Sequence, residues 1–335
     1  MIGLYQVDGK YPNLALMHLG GYLRGSGEQV ARIGALEQTM CETVYASKVF
    51  TASDAGYVRE DAIRGGTGWA DWRDLPALPD EAEHTYPAYD LWGCDYAMGF
   101  LTRGCIRHCP FCVVPDKEGT IRHHSHLSEW WRVQKRIRLL DANLTAHPDA
   151  IGYLGELAAS KAQVDFSQGL DARLVTPEFC AALRPVRKWG RVHTAWDQPD
   201  GEAAIMPGLR ILRDALPKGQ LTAYVLIGYA STPEEDLYRV TRLEEEGIES
   251  FVMPYDRADD YQRQFARWCN HKATFKTVKW EDYRAEAMAE WAQTEIGKPQ
   301  ASLEKYNKIW AGQGQKSEGW ETAAKSDRVQ GGAAK

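Results

Sequence analysis

The sequence predicts an α/β protein in which a small N-terminal domain precedes a larger unit of six strand–helix repeats. Short apolar segments that suit strands alternate with amphipathic segments that suit helices, from residue 1 to about residue 275. Several helical segments begin with a capping residue followed by proline, as in Thr176-Pro177 and Thr232-Pro233. This alternation is typical of parallel sheets, because a parallel connection must cross over the sheet and usually does so as a helix.

The first 90 residues are predicted to form the small domain. Its elements are expected at residues 2–7 (strand), 12–25 (helix), 29–33 (strand) and 44–51 (strand). Pro12 marks the start of the helix, and Gly25 and Gly27 mark its end. This order predicts a parallel βαβ unit. From Gly65 to Pro87 the composition changes to glycine, proline, aspartate and tryptophan, which indicates a connection between domains.

The six repeats follow between residues 91 and 275. Strands are expected at residues 96–102, 137–140, 164–168, 191–196, 221–227 and 250–253. Helices are expected at residues 128–136, 151–160, 206–216 and 261–270, and after the caps Thr176 and Thr232. Six strands alternating with helices predict either an open parallel sheet or a barrel. Beyond them, residues 276–312 are predicted as a helical extension and residues 313–335 as a disordered tail rich in Gly, Ala, Ser, Gln and Lys.

Composition narrows the class of protein. Hydrophobic residues make up 44% of the chain and charged residues 26%, which is typical of a soluble globular protein. The net charge of −6 argues against electrostatic binding of nucleic acid, so no nucleic-acid partner is indicated. No apolar run approaches the roughly 20 residues that span a bilayer, and the N-terminus lacks the pattern of a signal peptide. We therefore expect a cytoplasmic protein without a membrane partner.

Three of the seven cysteines lie together in one short segment. Cys105, Cys109 and Cys112 have C-x3-C-x2-C spacing and directly follow the first predicted strand of the repeats. Such closely spaced thiolates are typical of a loop folded around a soft metal centre. In parallel α/β folds ligands bind at the carboxyl ends of the strands, and the predicted strand places this loop at that end.

Two other interpretations of the cysteines are open. The first is a tetrahedral Cys3His zinc site in a non-catalytic module with a possible nucleic-acid-binding role. The fourth ligand would then be one of the nearby histidines, His108, His123, His124 or His126. The second is an electron-transfer iron–sulfur protein, but a fourth cysteine at short spacing is missing. The histidines at 123, 124 and 126 are otherwise expected to form a solvated surface run.

The segment Cys105-x3-Cys109-x-Phe111-Cys112, placed at the start of six βα repeats, resembles the radical S-adenosylmethionine superfamily. The resemblance implies a six-stranded partial (β/α) barrel that holds a 4Fe-4S cluster on the three cysteines. It also implies that the fourth iron binds S-adenosylmethionine, whose reductive cleavage gives a 5′-deoxyadenosyl radical that acts on a substrate. An electron donor such as flavodoxin or ferredoxin is implied as a partner.

The resemblance assigns some residues near the cluster to cofactor binding. Phe111 matches the aromatic residue that packs against the adenine of the family's cofactor. Members of the family often have Gly-Gly-Glu at the end of the second strand, where this chain has Leu140-Asp141-Ala142-Asn143. Asp141 and Asn143 are therefore expected to supply the oxygen acceptors for the methionine amine.

Further positions follow the third, fourth and fifth strands. Arg173 is expected to bind the methionine carboxylate, because a guanidinium matches a carboxylate in bidentate fashion, and an ion pair with Asp171 is the alternative. Asp197 is expected to contact the ribose or the substrate. Gly228 is expected to let the backbone approach the adenine. A turn position is the alternative for both.

The N-terminal domain resembles the cobalamin-binding domains that precede some radical enzymes. The similarity lies in the segment Pro12 to Leu16, at the start of the first predicted helix. The Asp-x-His-x-x-Gly loop that ligates cobalt is absent, since Asp8-Gly9-Lys10 has no histidine. A degenerate Rossmann-like domain that shapes the substrate cleft is therefore expected, with cobalamin bound without a histidine ligand as the alternative.

Overall fold

The computed structural model describes residues 1–8 and 11–283 and has the expected α/β fold. Two sheets are entirely parallel: a four-stranded sheet in the order β2-β1-β3-β4 and a six-stranded sheet in the order β12-β11-β10-β9-β8-β5. The strands and helices of the first sheet and the connection after it are β1 (Ile2–Gln6), α1 (Leu14–Gly25), β2 (Val30–Ile33), β3 (Thr43–Ser47), β4 (Ile63–Gly65) and α2 (Asp80–Glu83).

The six-stranded sheet begins with β5 and is interrupted once by a small hairpin. Its first elements are β5 (Ala97–Gly99), β6 (Thr102–Arg103), α3 (Val114–Glu118), β7 (Arg122–His123), α4 (Leu127–Trp130), β8 (Arg136–Leu139) and α5 (Ala150–Ser160). The remaining elements are β9 (Gln163–Leu170), α6 (Pro177–Leu183), β10 (Arg187–Ala195), α7 (Glu202–Ala215), β11 (Leu221–Ile227), α8 (Pro233–Glu245), β12 (Glu249–Pro254) and α9 (Asp260–Asn270).

Neighbouring strands of the larger sheet are consecutive in the chain, apart from the small antiparallel pair β6–β7. Because parallel crossovers are right-handed, such an order puts the connecting helices on one face of the sheet. Apolar side chains from that face and from the helices form the core; fully buried members include Ile137, Val164, Val192, Val225, Leu154, Leu209 and Leu243. The first and last strands, β5 and β12, do not pair with each other in the described part of the chain.

The described residues up to Asn270 form one compact unit, and the described residues 271–283 belong to a second. The small sheet lies within the first 90 residues and the large sheet within residues 91–275. Both sheets belong to the same compact unit, and the division into two domains at residue 90 stays a prediction. The described part of the second unit contains the short helix α10 (Lys272–Thr277). Most of the predicted helical extension and all of the predicted tail lie outside the described residues. No helix in residues 1–8 and 11–283 is both long enough and apolar enough to cross a bilayer.

The prediction of a helix at residues 128–136 was wrong. Helix α4 begins at Leu127 and ends at Trp130, and the His126 N–H donates to the Glu129 side chain (2.8 Å) at its start. Trp130 is buried, with its indole N–H donating to Ser125 Oγ (3.1 Å), which turns the chain into the core. The side chain of Gln134 then accepts hydrogen bonds from the N–H groups of Arg132 and Val133, so these residues form a turn.

The strand predicted at residues 44–51 is shorter than expected, because Asp8 ends it. The Asp8 carboxylate accepts hydrogen bonds from the N–H groups of Val49 (2.6 Å) and Phe50 (3.1 Å) and from the Ser53 hydroxyl (2.7 Å). Asp8 therefore closes a loop at the carboxyl end of the small sheet. Gly9 and Lys10, which follow it in the region compared with cobalamin-binding domains, lie outside the described residues.

Candidate functional site

The cysteine loop lies at the carboxyl end of β5, as the sequence predicted. The pairing of β6 with β7 closes its base, and the Cys105 N–H donates to the Gly119 carbonyl (3.1 Å) across it. Gly104 has φ of +85°, and a Cβ there would lie 2.2 Å from the Thr120 carbonyl oxygen, so only glycine suits this turn. The loop therefore leaves β6 through a tight glycine turn just before the first cysteine.

The three thiols are free and half-buried. Burial raises the pKa of Cys109 and Cys112, and the neighbouring cysteines raise it further, since a second thiolate nearby disfavours ionisation. A soft metal would reverse this preference, because it binds the thiolate form. Among residues 1–8 and 11–283, no three His, Cys, Asp or Glu side chains, the three cysteines included, are arranged so that they could hold a metal ion in this structure.

Asp141 anchors the chain that leads into the cysteine loop. It is buried, and its carboxylate accepts hydrogen bonds from the N–H groups of Leu101 (3.2 Å) and Thr102 (2.6 Å) and from the Thr102 hydroxyl (2.7 Å). Both oxygens therefore have partners within the protein. These contacts give Asp141 a supporting role in the chain that leads into the loop, and its expected role as an acceptor for the methionine amine stays a prediction, as does that of Asn143.

The free energy of unfolding is expected to depend on pH because of Asp141. Burial raises its pKa from 3.8 to about 6, despite the opposing hydrogen bonds from Thr102 and Leu101. The unfolded chain ionises first as pH rises, so the folded state loses about 3 kcal/mol of relative stability between pH 4 and pH 6. Asp141→Asn removes this dependence. Urea unfolding of both proteins at pH 4, 5, 6 and 7 should therefore show that the free energy of unfolding of the variant rises relative to that of the wild type as pH increases. The same dependence on pH in both proteins would contradict this prediction.

Asn143 is a buried polar side chain that contacts the first cysteine. It is only 4% exposed, and its Nδ2 donates to Cys105 Sγ (3.3 Å) and lies 3.5 Å from Asp171 Oδ2. Its Oδ1 is buried and has no hydrogen-bond partner in the described part of the chain. A buried acceptor without a partner costs free energy, so this oxygen is a strong candidate for binding a ligand N–H or O–H group.

Asp171 and two arginines line the next strand end. The Asp171 carboxylate contacts Arg173 Nε (2.6 Å) and Arg107 Nε (2.9 Å). Burial alone would raise the pKa of Asp171, but the hydrogen bonds and charges of Arg173 and Arg107 hold it below its usual range. The ion pair that was the alternative for Arg173 is present. Arg173 also lies close enough to Cys109 to favour its thiolate, so one cation is shared between the loop and β9.

The fourth and fifth strand ends also meet the cysteine loop. Asp197 Oδ1 accepts the Leu226 N–H (3.2 Å), and its carboxylate raises the pKa of both Cys109 and Cys112. Gly228 has φ of +75°, and a Cβ there would lie 2.1 Å from the Gln262 amide. The glycine is thus required by its own turn and by Gln262.

Phe111 lies in a row of aromatic rings at the carboxyl ends of the last two strands. Its ring meets the Tyr229 ring edge-on (5.2 Å between centroids), and Tyr229 meets Tyr255 in the same way (4.9 Å). These contacts tie the cysteine loop to the opposite side of the sheet edge. Sequence reasoning missed Tyr229 and Arg107, although an aromatic residue directly after the predicted strand end at Gly228 was a usable signal.

The histidines after the loop are not a uniform solvated run. His123 Nδ1 lies 2.7 Å from the Tyr153 hydroxyl, and the two rings stack. The His124 side chain is 9% exposed, and burial lowers its pKa to about 3. The expectation of a solvated run was therefore wrong for His124, because the chain turns it towards Phe100 and Glu83.

Comparison of the chain with protein-family models finds no match, and comparison with curated proteins finds none either.

Proposed function

We propose that the protein is a radical S-adenosylmethionine enzyme. The observation that carries the proposal is the placement of three free cysteines at the carboxyl edge of six consecutive parallel strands, with the unpaired Asn143 oxygen beside the first of them. The donor set fits the group, because three thiolates in a short loop suit an iron–sulfur cluster with one open iron. The fold fits as well, since ligands of such sheets bind at this edge.

In this proposal the cluster, when bound, would supply the one-electron reduction that cleaves S-adenosylmethionine and leads to removal of a hydrogen atom from the substrate. Cys105, Cys109 and Cys112 hold the cluster as thiolates. Asn143 Oδ1 accepts an N–H of the methionine amine and keeps Cys105 oriented through its Nδ2. The protein's part is binding and orientation, while the cofactor performs the difficult chemistry.

The remaining strand ends would hold the rest of the cofactor. Arg173 offers the methionine carboxylate the side of its guanidinium that does not bind Asp171. Phe111 and Tyr229 offer ring faces and edges for the adenine. Asp197 has a second carboxylate oxygen for a ribose or substrate hydroxyl. The substrate and the electron donor, for which flavodoxin and ferredoxin are the candidates, are not identified by these contacts.

Anaerobic reconstitution tests the proposal. The protein is incubated with iron, sulfide and a reductant, and we expect a brown, dithionite-bleachable protein that converts S-adenosylmethionine to 5′-deoxyadenosine. Metal analysis and chromatography with mass spectrometry measure the two results. One zinc per chain with no colour, together with no 5′-deoxyadenosine, would contradict the proposal and favour the Cys3His zinc interpretation.

A further inference from the structure

Arg239 of helix α8 is a fully buried cation whose five N–H groups all have acceptors. Its side chain and that of Asp236 are both 0% exposed, and Nη2 donates to Asp236 Oδ1 (2.6 Å). The other contacts are all to backbone carbonyls: Trp196, Asp197 and Leu226 at 2.9 Å each, and Glu235 at 3.4 Å. The guanidinium therefore binds backbone carbonyls at the carboxyl ends of two neighbouring strands, β10 and β11.

The same buried pair reaches the loop that follows β11. Asp236 Oδ1 also accepts the Ser231 hydroxyl (2.7 Å), and Ser231 Oγ accepts the Gly228 N–H (3.2 Å). Asp236 Oδ2 accepts the Tyr261 hydroxyl (3.0 Å) from helix α9. This hydrogen-bond network therefore fixes the backbone at Asp197 and Gly228, the residues that follow β10 and β11. It also fixes the loop that holds Tyr229 against Phe111.

A buried ion pair is poor evidence for stability alone, because desolvating two charges costs about as much as their attraction returns. The geometry here is more specific than stability requires. Three of the five donor contacts end on the carbonyls of Trp196, Asp197 and Leu226, at the ends of two neighbouring strands. The Asp197 side chain is fixed from the same place, since its Oδ1 accepts the N–H of Leu226.

We propose that Arg239 is a positioning residue that holds the Asp197 carboxylate and the Tyr229 ring in place for the adenosyl part of the cofactor, without touching it. This inference rests on the proposed function. A purely structural residue would change only the free energy of unfolding. A positioning residue should also change the local backbone geometry and the affinity for the ligand in variants that still fold.

The test compares three variants of the full chain. Arg239→Lys keeps the charge but loses the planar set of donors. Arg239→Met combined with Asp236→Leu removes both buried charges, a type of replacement that often preserves folding. Arg242→Met is the matched control, since Arg242 lies one turn further on the same helix and pairs with Glu202 (3.0 Å) and Glu246 (2.9 Å) at the surface.

Two measurements are made. Hydrogen–deuterium exchange of the unloaded protein reports on residues 193–200 and 224–232, and S-adenosylmethionine titration of the anaerobically reconstituted protein reports the dissociation constant. We expect exchange in both segments to become about tenfold faster or more, and affinity to fall about tenfold or more, in the lysine and double variants. The Arg242→Met control should match the wild type in both, and circular dichroism should show all variants folded.

Each other outcome decides against the inference. Unchanged exchange at the two strand ends would overturn the positioning role, whichever variant folds best. Faster exchange with unchanged affinity would reduce Arg239 to a structural residue. If the wild-type protein bound no S-adenosylmethionine, the proposed function would be overturned, and the inference about Arg239 with it. The two failures are distinguishable, because one is seen in the wild-type protein and the other only in the variants.

Discussion

Replacing any one of Cys105, Cys109 and Cys112 with alanine is expected to abolish the brown colour and the formation of 5′-deoxyadenosine. With two thiolates the loop cannot hold a cluster that needs three protein ligands. The loss should be complete for each single variant, because the ligands act as one unit. Iron and sulfide content, the visible spectrum and product chromatography measure it after anaerobic reconstitution.

Cys94→Ala is the matched control for these variants. Cys94 is half-buried like the three loop cysteines, but its Sγ contacts the Tyr96 carbonyl (3.2 Å) and it lies before β5. We expect this variant to keep wild-type iron content and product yield. If a loop variant retained cleavage, or if Cys94→Ala lost the cluster equally, the assignment of the three ligands would be wrong.

Asn143→Leu is expected to weaken binding of S-adenosylmethionine by about ten- to a hundredfold. The change removes the acceptor Oδ1 and the donor that contacts Cys105, while keeping a side chain of similar size. A hydrogen bond to a charged group contributes about 1.5–3 kcal/mol, and each 1.4 kcal/mol is tenfold in affinity. Equilibrium dialysis of the reconstituted protein measures the dissociation constant.

The control for Asn143 lies two residues further along the same loop. Thr145 Oγ1 accepts the Asp171 N–H (3.1 Å), so Thr145→Val also removes one buried hydrogen bond there. Both variants should lower the melting temperature by a few degrees, since each loses about 1 kcal/mol. Only Asn143→Leu should lose affinity. Equal affinity in the two variants would show that Asn143 supports the loop and does not bind the cofactor.

Local signals predicted much of the fold correctly. Strand β11 has the predicted bounds, because seven consecutive apolar or β-prone residues leave no other buried arrangement. The caps at Thr176 and Thr232 are confirmed: each side chain accepts the N–H of the residue three positions on. These interactions span at most four residues, which is why a linear sequence reveals them.

The errors arose where distant groups override local preference. Helix α4 ends early because Trp130 enters the core, and β3 ends early because Asp8, which is about forty residues away, binds the N–H groups of Val49 and Phe50 just beyond the end of the strand. Neither partner is visible in the local pattern. The same holds for His124, whose burial depends on Glu83 and Phe100.

The sequence by itself determined the alternation of six strands with helices and the position of three cysteines at the end of the first strand. These are properties of short segments and of the rule that parallel sheets bind ligands at one edge. Tertiary structure alone decided what surrounds the cysteines. Asp141 accepts hydrogen bonds from the chain that leads into the loop, and Asn143 Oδ1 has no partner among the described residues. Arg239 binds backbone carbonyls at two strand ends. Such roles depend on which polar atoms are left without partners, and this is known only when every neighbour is in place.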